Sequence, residues 1–279
     1  MKVKFKIVAD SSCDLNEELK KKLNIGLVPL KIDVEDYTFI DDDSLEVDKL
    51  LNAMKNSKEP IKTSSPSPGD FLKEYGKGEN VFVVTLSSAL SSTYSNAVLA
   101  KNIALENSNK FIHIFDSLSA SVGETLVSLK IFNLIQENFS PKDIVEKVEE
   151  YIKNMKTLFI LESLENLMKA GRVSKVMGHI ASVLSIKPIM GDDGDGTIRL
   201  VEKVRGGKRA FKRLVEIIGE EGDGFEDKIL GIAHCNALNK AEELKRKIEE
   251  KYNFKQIIIV DTAGLSTAYA DDGGIIIAF

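Results

Sequence analysis

The chain has 279 residues, 43% of them hydrophobic and 29% charged, with a formal net charge of −5 at pH 7. This exceeds one typical domain of roughly 100–150 residues and excludes a long disordered chain, so two globular domains are predicted. The acidic balance excludes broad electrostatic capture of nucleic acid, which needs a basic face.

Charged and apolar residues alternate from Val3 to Val8. This predicts a half-exposed first strand and lacks the unbroken apolar core of a signal peptide. Asp14, followed three residues later by Glu17, predicts a capping-box start for a helix running to Leu23. Val81 to Leu86 is an apolar run of strand length, followed by a Ser-rich turn and a helix over about 92–106. Phe111 to Phe115 repeats the arrangement, with a turn at Asp116-Ser117 and an apolar helix to about Glu137. Ser140 as N-cap with Pro141 at the first helical position opens a further helix to about Asn154. Continuous apolar strands alternating with helices predict an α/β fold built on a parallel sheet covered on both faces. Such sheets bind ligands beyond the carboxyl ends of their strands. The loops there, Asp10-Ser11-Ser12, Ser87 to Thr93 and Asp116-Ser117, are rich in Ser and Asp.

The pattern changes near residues 155–158, which predicts an N-terminal α/β domain over 1–156 and a C-terminal α+β domain over 157–279. The second begins with a strand at Thr157–Leu161 and helices at Leu164–Lys169 and Ser174–Leu184. A hairpin follows, with arms Ser185–Met190 and Thr197–Val204 around a Gly/Asp turn. Strands at Ile229–Ala233, Gln256–Val260 and Gly274–Phe279 then bracket helices at Lys208–Gly219 and Leu238–Tyr252. No stretch approaches the roughly 18 apolar residues of a membrane span. Cys13 and Cys235, the only cysteines, stand far apart without metal-ligand spacing, which predicts reduced thiols and a cytoplasmic address.

Few motifs carry chemistry by themselves. The Asp192-Asp193-Gly194-Asp195-Gly196 run invites a calcium loop, but the twelfth position counted from Asp192 is Lys203, where an EF-hand needs an acid. It reads as a polar hairpin turn, and no metal or cofactor is predicted. Walker, zincin and nucleophile-elbow signatures are missing. His113 and His234 sit in apolar strand patterns and read as structural. Thr63-Ser64-Ser65-Pro66-Ser67-Pro68 and Ser87 to Ser95 are the dense hydroxyl clusters. Each Pro favours extended backbone before it, and together the two clusters suit a buried carboxylate, an acceptor-only group that hydroxyls satisfy without a second buried charge.

In combination these segments are familiar. Ile7 to Leu15, Val28-Pro29-Leu30, Thr63-Ser64-Ser65-Pro66, Leu86 to Tyr94, Asp116-Ser117, Leu167 to Ser174 and Lys187-Pro188-Ile189 stand in the order of the DegV family, which the chain resembles along nearly its whole length. The resemblance implies a long-chain fatty acid in a tunnel between two domains. It also implies a non-catalytic role, as the acyl-binding subunit that presents the carboxyl group to a separate fatty-acid kinase. By the same resemblance Thr63 and Ser91 bind the carboxylate and Arg172 orders the head-group site, with Ser64 and Ser92 beside them. Two departures stand out. Tyr269, followed by Asp271 and Asp272, occupies the family's usual His position, and Ser92 replaces a common Gly. A phenol donates a hydrogen bond but stays neutral at pH 7. The apolar stripes Leu126 to Ile135 and Val176 to Leu184 are candidate tunnel walls as well as ordinary core. Arg172, Lys175, Lys187, Arg199, Arg205, Lys208 and Arg209 form a candidate surface for an acidic partner. The alternatives are a Ser91-dependent acyl hydrolase or transferase, and a sensor of another small carboxylate.

Overall fold

The computed structural model describes residues 3–106, 108–173 and 186–279. The expected helix at Ser174–Leu184, with Lys175 and His179, lies outside them. The chain opens with β1 (Val3–Asp10), α1 (Glu17–Leu23) and β2 (Gly26–Val28). Next come β3 (Lys31–Val34), β4 (Tyr37–Ile40), α2 (Val47–Asn56), β5 (Lys62–Ser64) and α3 (Pro68–Tyr75). They lead into β6 (Gly78–Thr85), α4 (Thr93–Leu105), β7 (Phe111–Asp116), α5 (Val122–Gln136) and α6 (Pro141–Asn154). Strands β2-β1-β6-β7 form a four-stranded, all-parallel sheet.

The first strand is not half-exposed: its carboxyl half is buried on both faces because it lies inside the sheet. Even Lys6 is buried, its ammonium donating to the Asn24 carbonyl at 2.8 Å. The N-cap of α1 is Asn16, whose side chain accepts from the Leu19 amide at 2.9 Å. Asp14 does not cap the helix; it is buried and bonded across the molecule to the Ala263 amide. Asn16 competes as well for the local cap, and the tertiary partner takes the carboxylate.

The second half contributes β8 (Thr157–Ile160), α7 (Glu165–Lys169), β9 (Ile186–Asp192), β10 (Ile198–Arg205), α8 (Gly207–Glu221), β11 (Ile229–His234), α9 (Leu238–Glu249), β12 (Gln256–Asp261), α10 (Gly264–Ala270) and β13 (Ile275–Ala278). These strands make a six-stranded sheet in the order β10-β9-β8-β13-β11-β12. It is mixed, β11 and β12 running parallel while the other neighbours are antiparallel. The hairpin turn is held by Asp193, which accepts from the amides of Asp195 and Thr197. No helix among the described residues is long and apolar enough to cross a membrane.

Several elements escape the sequence pattern, while the expected apolar helix is present as α5. The strands β4-β3-β5 form a separate three-stranded antiparallel sheet, and α10 fills a stretch without strong periodicity. Helix α5 has no amphipathic stripe because it lies between the two large sheets. Leu126, Leu129, Ile131 and Leu134 are buried in one cluster with Phe82 and Val84 on one side and Ala233 and Val260 on the other. A helix that is apolar all round is a buried helix, so this stripe is core rather than tunnel wall.

Candidate functional site

The parallel strands end in loops held by aspartates, of which Asp10 is buried and Asp116 half-buried. Asp10 accepts from the Ser12 amide at 2.9 Å and from the Leu86 amide at 2.8 Å, tying the end of β1 to that of β6. Asp116 accepts from the amides of Ser88 and Leu118. These acids shape the backbone that carries the hydroxyls, as Asx-type bonds do in turns. Burial pushes the carboxyls of Asp10 and Asp14 up to about 7, and that of Glu124 well above its usual range.

Above these loops lies a cleft between the parallel sheet and the mixed sheet, enclosing about 1090 Å³ of atom-free space with its open mouth included. From the first half, Leu30, Leu86, Leu90 and Leu118 line it; from the second half, Phe159, Leu161, Leu167, Ile198, Leu265 and Ile276 do. Gly196 closes one edge: the Ser87 hydroxyl donates to its carbonyl at 2.7 Å, and a Cβ there would meet Ser87 and Leu118. With φ at +79°, this position suits glycine twice over.

Polar groups gather at one part of the wall. The hydroxyls of Thr63 and Tyr269 are 2.9 Å apart, and those of Ser65 and Ser92 are 2.8 Å apart. Asn96 donates to Ser65 and to the Pro66 carbonyl. Ser91 and Thr93 pair at 2.9 Å. Arg172 reaches in from the other half, with Nε on the Leu90 carbonyl at 3.2 Å and Nη1 on the Ala170 carbonyl at 2.5 Å. A guanidinium has five N–H donors, so three are left by its bonds to the described residues.

Thr63, Ser91, Ser92, Arg172 and Tyr269 therefore all line one cleft. Ser64 does not. In β5 successive side chains point to opposite faces, so Thr63 and Ser65 share the cleft side while Ser64 is exposed on the other. That alternation was available in the sequence, and it would have selected Ser65. Ser92 needs no glycine: its φ of −74° is ordinary. Asp271 and Asp272 do not line the cleft, whereas Asp192 does, its carboxylate accepting from the Thr157 and Gly194 amides. Among the described residues no histidine lines the cleft. His234 is buried with Nδ1 facing the Ala237 amide, and His113 faces Glu149 at 3.4 Å. Ser91 pairs with the Thr93 hydroxyl and has no histidine partner among the described residues.

The fold and this site define a class: an α/β protein whose two large sheets enclose a largely apolar cleft that ends in hydroxyls and one guanidinium. The chain belongs to the DegV family, whose model, described as uncharacterised proteins of that family, matches residues 4–279. A DegV domain-containing protein of Streptococcus pyogenes serotype M1 is 35% identical over 278 residues, covering 99% of both chains. A DegV family structure from Ruminococcus gnavus, solved with vaccenic acid, is 41% identical over 100% of both chains with a TM-score of 0.95. The fatty acid kinase (Fak) B3 protein of Streptococcus pneumoniae, loaded with linoleic acid, is 32% identical over 99% of both chains with a TM-score of 0.90.

Proposed function

We propose that this protein binds a long-chain fatty acid in the cleft, the carboxylate held by the Thr63 and Ser91 hydroxyls. Arg172 and Tyr269 complete the head-group site, with Ser92 in its wall. The cleft lies between the two lobes, taken as residues 1–156 and 157–279. The observation that carries this reading is the apolar cleft ending in clustered hydroxyls and one guanidinium that makes no ion pair among the described residues. It is supported by the fatty acids in the two related structures.

The energetics agree. Burial of some 14 methylenes contributes on the order of 11 kcal/mol, against about 4–15 kcal/mol for lost translation and rotation. Two or three charge-assisted hydrogen bonds at roughly 1.5–3 kcal/mol each then set orientation and affinity.

The protein works as a non-catalytic acyl-binding subunit in the cytoplasm, presenting the carboxyl to a separate fatty-acid kinase. Of the basic surface expected from sequence, Lys187 pairs with Glu162 and Arg199 with Glu221, and Arg172 turns into the cleft. Arg205 at the end of β10 and Lys208 and Arg209 at the start of α8 remain exposed, and this smaller patch is the docking surface in this reading.

The test is organic extraction of the purified protein followed by mass spectrometry. A co-purifying long-chain fatty acid is expected. Absence of any such acid, together with failure to take up added palmitate, rejects the function.

A further inference from the structure

Helix α10 spans only seven residues, too short to hold itself together in water. Its first amides have no capping side chain of their own: the N-cap residue is Ala263. The three amides that open it are satisfied from the other half of the molecule. Asp14 accepts from Ala263 at 2.7 Å, and the two oxygens of Asp41 accept from Gly264 at 2.7 Å and from Leu265 at 2.9 Å. A carboxylate at this end also complements the helix dipole. Gly264 permits the approach, since a Cβ there would collide with Asp41 and Leu45.

Asp41 is tied in the other direction as well. The Ser11 hydroxyl donates to it at 2.8 Å and accepts from the Leu30 amide at 3.0 Å, while the Asp41 amide donates to the Leu30 carbonyl at 3.0 Å. Leu30 leads directly into β3, whose Ile32 stands opposite Thr63 in β5. At the far side, α10 carries Tyr269, roughly 7.5 Å along the axis from Gly264 at 1.5 Å per residue. One buried carboxylate thus connects the carrier of Thr63 to the carrier of Tyr269.

The geometry assigns to Asp41, with Asp14 in support, the role of positioning residue for the head-group site: it fixes α10 so that the Tyr269 hydroxyl meets that of Thr63. This rests on the fatty-acid reading of the cleft for its effect on affinity, and on geometry alone for its effect on α10. Asp41→Asn retains the shape and one acceptor oxygen but loses the charge and the second acceptor. Asp14→Asn leaves the Gly264 and Leu265 bonds in place and serves as the milder variant.

The experiment compares palmitate with methyl palmitate by displacement of a fluorescent fatty acid. Asp41→Asn is expected to weaken palmitate about fivefold and to leave the ester unchanged. In a Tyr269→Phe background the same substitution is expected to add nothing, the signature of residues acting as a unit. An undiminished step in that background, or equal loss for acid and ester, overturns the assignment. Amide hydrogen exchange on the ligand-free protein decides independently: Asp41→Asn should speed exchange at residues 264–266, and unchanged exchange overturns the anchoring. If the wild-type protein takes up neither palmitate nor its ester, the fatty-acid reading falls, while the exchange result still settles whether Asp41 holds α10.

Discussion

Thr63 and Tyr269, 206 positions apart in the chain, share a hydrogen bond of 2.9 Å between side-chain hydroxyls. The first belongs to a small antiparallel sheet and the second to a seven-residue helix of the other half, so the pair closes the cleft at its polar end. Each hydroxyl has one proton and two lone pairs, and an incoming carboxylate can take the proton that the pair does not use. Tyr269→Phe should lower fatty-acid affinity about two- to tenfold, the worth of one hydrogen bond of roughly 0.5–1.5 kcal/mol. A titration showing full affinity would remove Tyr269 from the site.

Combining Thr63→Val with Ser91→Ala should lower affinity tenfold or more. Two charged hydrogen bonds are worth about 3 kcal/mol or above, and a factor of ten needs only about 1.4 kcal/mol. The cleft walls are untouched, so loss of binding with an unchanged unfolding midpoint isolates the head group. Equal affinity of wild type and double variant is the outcome that would count against the assigned grip.

Stability should fall as pH rises from 6.5 to 8. Asp10 and Asp14 titrate near pH 7 in the folded chain because burial disfavours their charged forms, whereas unfolded aspartates titrate near about 3.9. The folded state therefore holds more protons between those values, and the stability these carboxyls contribute is lost as pH passes 7. Each accounts for on the order of 1 kcal/mol over this window. Burial lowers His113 and His234, whose opposing contribution fades above the unfolded value of about 6.5 and offsets part of this fall. Urea midpoints measured at pH 6.5 and 8 should show the decline, and Asp14→Asn should lessen it while Asp10 retains its share.

Gly231 sits in β11 where α5 crosses the mixed sheet, and a Cβ there would run into Val122. Gly231→Ala should cost about 1–3 kcal/mol through overpacking between backbone-fixed elements. Denaturant unfolding would show this as a lower midpoint at constant slope; an unaltered midpoint would mean that α5 shifts freely.

Reversing charge at Arg205 and Arg209 should abolish or greatly weaken association with a fatty-acid kinase while leaving fatty-acid affinity intact. The patch lies on the surface at the end of β10 and the start of α8, and rim charges act mainly through the association rate and its salt dependence. Co-sedimentation or surface binding at two salt concentrations measures it. Unaltered association would place the docking surface elsewhere.

The large elements were legible in the sequence wherever periodicity or an unbroken apolar run spoke clearly, as in Val81 to Leu86, Phe111 to Phe115 and the capped helix from Ser140. The hairpin over 186–205 was legible from its glycines and aspartates. What failed did so for identifiable reasons. The strands β3, β4 and β5 are only three or four residues long, too short to show a period. Helix α10 has no cap of its own because Asp14 and Asp41 supply one from elsewhere. The apolar face of α5 pointed to no particular neighbour, since sequence pattern tells that a helix is buried but not between which sheets.

The sequence by itself determined the family, the alternation of strand and helix, and the hydroxyl-bearing segments around Thr63 and Ser91, because these depend on residue type and local order. Only the tertiary structure decided that Asp14 serves α10 instead of α1, and that Tyr269 meets Thr63. Those choices depend on which groups a buried donor or acceptor finds once water is excluded, and the partners lie in distant parts of the chain, where no local pattern records them.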